Sequence, residues 1–326
     1  MENIIKLINE KRKLKASSLK AYKQNIKKLA QELTGKDFLL QFNKVKKHLE
    51  TKKLTTKKNY ISIILVLLRL YDDKYDKLIK KYTDYLNKVR DTYDEELKNQ
   101  TKSIKENKNW MPMAELKTKV MKYWTKKVRD NSISRKSKKV LTNKQKRILK
   151  AYLVASLYLL DPNNHPPRRN IYASLKLIKK EDYDKLSEKE KDDHNWLLLI
   201  SRNHKKFIFN NQKNKKEHTM RISPAINSVL NLYLSYHDSE DFLLNSKGQK
   251  MTSNGLTKFL TSIFEKAVDK HISTTMLRKI FVSDKYDLPA LKEMEKTAKD
   301  MGHTIPTQMK HYYKSDNKDK EEKEAK

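Results

Sequence analysis

Along the first third of the chain, apolar residues return every three or four positions with lysine-rich intervals between them, the period of amphipathic helices. Leu19, Tyr22, Ile26, Leu29 and Leu33 mark one helix, with Ser17 and Ser18 as candidate caps. Phe42, Val45 and Leu49 mark a second. A third, carrying Ile61, Ile64, Leu65, Leu68 and Tyr71, starts near Thr55 or Thr56, and a fourth carries Tyr82, Tyr85, Leu86 and Val89. These stripes predict a compact helical domain over residues 1–105. The polar stretch 99–109 reads as the interdomain linker. Beyond it Trp110 and Met111 open a second helical region, and Thr142 or Asn143 begins a long helix with Leu149, Leu153, Leu157 and Leu160 on one side. That helix must stop at Asp161-Pro162, because proline lacks the N–H and clashes with the preceding turn.

The pattern then changes. Residues 172–178, 196–201, 207–210 and 219–223 form short apolar or alternating runs separated by polar breaks, and they predict a small antiparallel sheet. Helical periodicity resumes over 225–236 and 255–268 and from about 274 onward, while 315–326 is almost wholly charged and polar and reads as a disordered tail. Only 4 glycines and 7 prolines interrupt the chain. The fold class is therefore mainly α with a small antiparallel sheet (α+β), a helical domain preceding a second domain over 106–314.

Charge adds a partner. Lysine and arginine number 74 against 40 acidic residues, a net charge of +34. Such an excess attracts polyanions, and neutralising each nucleic-acid phosphate releases a counterion. An AT-rich coding sequence also inflates lysine, so charge by itself does not separate storing DNA from acting on it. The absence of cysteine excludes disulfides, zinc knuckles and thiol nucleophiles and fits an intracellular protein. The longest wholly apolar run, 63–68, is too short to cross a bilayer, and the N-terminus has no apolar signal core, so no membrane association is expected. Neither a glycine-rich phosphate loop nor an acidic two-metal cluster is present, and no cofactor is expected.

Three segments carry candidate chemistry. His165-Pro166-Pro167-Arg168-Arg169-Asn170 lies between the long helix and the first strand. Thr275-Met276-Leu277-Arg278 opens a late helix, and Met301-Gly302-His303 precedes Tyr312 by nine residues counted from the histidine. In this order and spacing the segments resemble the catalytic domain of tyrosine recombinases (integrases), over about residues 110–314. The Pro-Pro-Arg-Arg-Asn form is more similar to recombinases of virophages and large DNA viruses than to the phage type. The helical domain matches the family's core-binding domain in size and place but carries no sharp motif.

The resemblance implies an enzyme that cuts and rejoins double-stranded DNA without a metal, through a 3′-phosphotyrosyl intermediate, integrating or excising a mobile or viral element. It also implies a homo-tetramer on DNA, at work wherever in the cell the target DNA lies. Carried over by position, Tyr312 is the nucleophile, with Tyr313 as its rival, and Arg168 and Arg278 clamp the phosphate, with Arg169 as a rival for the first. A guanidinium suits that task because it donates two parallel hydrogen bonds and stays protonated. His303 donates to the scissile phosphate, and Lys213, with Lys215 and Lys216 as competitors, protonates the leaving oxygen from a hairpin between strands.

Two positions depart from the family. Thr275 stands where the family has histidine or lysine, and a hydroxyl is a poor general base at neutral pH. His271 lies two turns earlier, before the helix begins, and does not replace it. Ile171 occupies the place of an acidic residue that supports the first arginine. A telomere resolvase, a type IB topoisomerase-like enzyme or a non-catalytic DNA-binding or packaging protein would share most of these features.

Overall fold

A computed structural model of the protein describes residues 2–14, 16–33, 38–98, 101–136, 140–210 and 218–309. Lys213, Lys215, Lys216, Tyr312, Tyr313 and the tail 315–326 lie outside the described residues. The chain divides into two compact units, Met1–Lys102 and Ser103–Lys326.

The first unit is helical: α1 (Glu2–Arg12), α2 (Ala16–Glu32), α3 (Phe42–Glu50), α4 (Leu54–Leu68) and α5 (Asp76–Lys98), with 3-10 turns at Phe38–Leu40 and Arg69–Tyr75. The apolar run inside α4 is buried on nearly every side, which explains why that helix loses its stripe. Ile61, Ile64 and Leu68 meet Leu29, Leu49, Tyr82 and Leu86, while Ile63, Val66 and Leu67 face Ile8 and Ile26. Because α2 starts at Ala16, Ser17 and Ser18 fall inside its first turn. The start of α4 at Leu54 is a residue ahead of the threonines, with Lys53 as cap.

The second unit is built around α8 (Asn143–Leu159), most of whose residues from Ile148 onward are buried. Its start is closed by a reciprocal capping box between Thr142 and Gln145. Before it come α6 (Ile104–Asn109) and α7 (Met113–Asp130). The stretch read as linker thus includes a helix. Ser103 and Glu106 cap it, Lys279 pairs with Glu106, and Asn109 accepts the His271 N–H, so it belongs to the second unit.

After α8 the chain makes a 3-10 turn (Asn170–Ser174) and enters a four-stranded sheet. β1 (Leu175–Lys179), β2 (Asn195–Leu199), β3 (Lys205–Phe209) and β4 (His218–Arg221) pair in chain order. The sheet is mixed, against the expectation of an antiparallel one: β1 pairs with β2 in parallel, and only the other two pairings are antiparallel. The cause is the connection between β1 and β2, which folds as α9 (Lys180–Asp184) and α10 (Glu188–Asp193) and returns the chain to the edge it left. Tyr183 and Leu186 from this crossover cover Trp196, Leu198 and Ile208 on one face, while Leu197, Phe207 and Phe209 point into the main core on the other. The unit continues through α11 (Pro224–Leu234), α12 (Ser253–Val268), α13 (Thr274–Lys285) and α14 (Leu288–Asp300).

Candidate functional site

The loop leaving α8 is tightly organised. The His165 N–H donates to the Asp161 carbonyl at 2.8 Å, and the imidazole is 1% exposed. His165 Nε2 accepts the Ser223 N–H, at the start of α11, at 3.1 Å, which fixes the neutral ring with its proton on Nδ1. Burial lowers the His165 pKa; Asp161 opposes that shift and Arg168 adds to it. Pro166 and Pro167 then carry the backbone onward with φ restrained.

Arg168 emerges half-buried, its Cζ 4.3 Å from the ring centroid of Phe209 at the end of β3. Its Nε is buried and makes no hydrogen bond among the described residues. Burial lowers its pKa and the nearby Tyr172 phenol partly offsets this. Arg169 is exposed. Asn170 is the bracket of the site. Its amide donates to the Ser253 carbonyl at 3.0 Å and to the Thr257 hydroxyl, both on α12, and its Oδ1 accepts from the Thr274 hydroxyl at the start of α13.

Arg278 lies one turn beyond Thr274. Met276, Leu277 and Ile280 bury the opposite side of α13, and Asp284 accepts the Met113 N–H, so the helix that carries this arginine is held on α7 and the core. Arg168, Arg169, Arg278 and Lys250 line one open cleft of about 1310 Å³. No carboxylate lines it among the described residues, and none pairs with Arg168 or Arg278. Lys250 does pair with Asp241, at 3.4 Å. Thr252 and Ser253 bring the start of α12 to the same cleft, adding the partial positive charge of a helix N-terminus. The cleft wall is cationic and is chemically suited to an anion.

The structure brings Arg168, Arg169 and Arg278 together. Thr275 is exposed on the first turn of α13 and does not line the cleft; its neighbour Thr274 makes the contact to Asn170. His303 does not line it either. It follows the stop of α14: Gly302, at φ +74°, donates to the Lys299 carbonyl and the His303 N–H donates to that of Ala298. These two bonds form a Schellman cap, and they account for the glycine before the histidine, since the left-handed backbone there disfavours any side chain. The sequence does not single out Asn170, Thr274 or Phe209 for their contacts with the arginine-bearing segments. Asn170 lies in a motif visible in the sequence, but its partners are 83 to 104 residues away.

Among the described residues, no three His, Cys, Asp or Glu side chains cluster as metal ligands, and no helix is long and apolar enough to cross a membrane. No protein-family model matches the chain, and no curated protein matches it. Among solved structures, one described as the crystal structure of XerA recombinase aligns with 99% of this chain and 98% of its own, at 9% identity and a TM-score of 0.32. A likeness that slight carries no weight.

Proposed function

We propose that the protein is a tyrosine recombinase that breaks and rejoins double-stranded DNA. The observation that carries this reading is the convergence of Arg168 and Arg278, 110 residues apart in the chain, on one cleft lined by no acidic residue among those described. A phosphodiester already bears one negative charge, and attack by an oxygen builds a second on the non-bridging oxygens. Fixed guanidinium groups stabilise that charge without reorganising as it forms.

In the proposed reaction the Tyr312 oxygen attacks phosphorus and gives up its proton to solvent water, and the bond from phosphorus to the 5′ oxygen breaks. Lys213 protonates the departing oxygen, which leaves a 3′-phosphotyrosine and a free 5′ hydroxyl. His303 and Thr275, which the family resemblance carries to the phosphate, do not line the cleft, and no step is assigned to them. Reversal by another strand's 5′ hydroxyl rejoins DNA with no external energy source, because the phosphodiester energy is kept in the tyrosyl ester. Four protomers acting at two sites of a viral or mobile element complete the proposal.

A pool of nicked duplexes of randomised sequence tests it, since loss of the short nicked fragment traps the covalent intermediate. The expected result is an adduct stable to detergent that is lost in Tyr312→Phe and reduced by about 10²–10³ in Arg278→Ala. Salt-sensitive binding with no adduct would instead make the protein a non-catalytic DNA-binding or packaging protein, a reading that Thr275 favours.

A further inference from the structure

An arginine serving a phosphate must be held still, and a carboxylate behind the guanidinium is one way to do so. Among the described residues no carboxylate pairs with Arg168, and Ile171, three residues on, packs against the hydrophobic core. What lies against the guanidinium is the Phe209 ring, 4.3 Å from Cζ to centroid.

We propose that Phe209 is a positioning residue for the cleft, orienting Arg168 through its ring face in place of an acidic partner; this rests on reading the cleft as a phosphate site. The ring is itself immobilised. Phe209 is 0% exposed, stacks on Phe207 with centroids 5.7 Å apart, and meets the edge of Tyr172 at 6.1 Å. Its backbone is registered between Asn195 on β2 and His218 on β4. Tyr172 is in turn braced by Tyr158, with centroids 5.4 Å apart. Arg168 therefore rests on an aromatic floor, not on a loop.

The electrostatic consequence separates this device from an ion pair. A carboxylate would orient the guanidinium and cancel its charge toward the substrate. The quadrupole of an aromatic face attracts the cation while leaving its full charge for the phosphate, and the attraction strengthens as water is excluded. Phe209 is also the last residue of β3, directly before the connection that holds Lys213. The strand that orients the arginine thus leads straight into the segment of the proposed proton donor.

The test replaces Phe209 in the full-length protein with mono-, di- and trifluorophenylalanine, which keep the shape of the ring and progressively remove the negative charge of its face. Sulfate serves as the probe, titrated against the Arg168 Nε–H signal in isotope-labelled protein. A second readout is the rate of adduct formation on a duplex recovered from the randomised pool, beside DNA affinity. Sulfate affinity at Arg168 should fall stepwise to about tenfold weaker in the trifluoro form. The adduct rate should fall in parallel, by about ten- to thirtyfold, with duplex affinity changed much less. Phe209→Leu should match the trifluoro form and Phe209→Tyr should retain most of the function. A flat sulfate response across the series overturns the proposal. If the unsubstituted protein forms no adduct, the recombinase reading fails by itself, and the sulfate titration still decides whether Phe209 orients Arg168.

Discussion

Asn170→Ala probes the brace between the two arginine-bearing segments. Three hydrogen bonds disappear with the amide: to the Ser253 carbonyl, to the Thr257 hydroxyl and from the Thr274 hydroxyl. Each contributes about 1 kcal/mol net, and the Thr274 hydroxyl keeps the Tyr158 phenol as a partner, so the loss should be roughly 2–3 kcal/mol. For a unit of this size that corresponds to a fall in Tm of roughly 5–10 °C. Trp110, Trp124 and Trp196, all the tryptophans of the chain, lie in the second unit, so their fluorescence follows its melting alone. A double-mutant cycle with Thr274→Val isolates the contact across the cleft wall and should give a coupling of about 1 kcal/mol. The adduct rate should drop by about 10², because a displacement near 1 Å between the clamping groups is enough for that. A Tm within about 2 °C of the unsubstituted protein, or strict additivity in the cycle, would refute the reasoning.

Further outcomes follow from other parts of the site. Arg168→Ala and Arg278→Ala should each reduce the slope of log affinity against log salt by about 1 for a short duplex, as expected for loss of one phosphate contact; an unchanged slope would remove that arginine from the clamp. Gly302→Ala should weaken the end of α14 by about 1 kcal/mol, read as roughly fivefold faster hydrogen exchange at the Gly302 and His303 amides. The cost arises from the φ of +74° alone, because an added Cβ meets nothing within 4 Å. His165 is held neutral in the fold, with its pKa below the ordinary 6.5, so the unfolded chain binds the extra proton first. Its contribution to stability is complete above pH 6.5 and is lost as the pH falls toward the depressed value. His165→Gln, which keeps an acceptor for Ser223, should flatten the dependence of Tm on pH below 6.5. It should not abolish it, since burial depresses His194, His218 and His237 in the same direction.

The parts of the fold legible in the sequence are those that apolar periodicity and capping chemistry determine locally. Leu29, Leu33, Val45, Leu49, Tyr82 and Leu86 all reach the core of the first unit, and Thr142 with Gln145 marks the start of α8. The features that escaped depend on distant partners. The helix α6 has one apolar residue, Ile104, which is 91% exposed, and it is held by Lys279, Lys270 and His271 across the fold. The parallel pairing of β1 with β2 depends on a polar crossover whose apolar anchors are Tyr183 and Leu186, with the Lys191 carbonyl accepting from Trp196 and Asn210. In the cleft, arginine could be recognised by type and spacing, since no other side chain offers the same fork. Asn170 and Phe209 act through geometry alone, and neither an asparagine nor a phenylalanine announces that by its identity.

Adduct trapped on a nicked duplex, digested with nuclease and protease and analysed by mass spectrometry, should yield a single peptide carrying a nucleotide through its 3′ phosphate on Tyr312. The same treatment of Tyr312→Phe should yield none. A modified residue elsewhere, or an adduct that survives in Tyr312→Phe, would contradict the proposed chemistry.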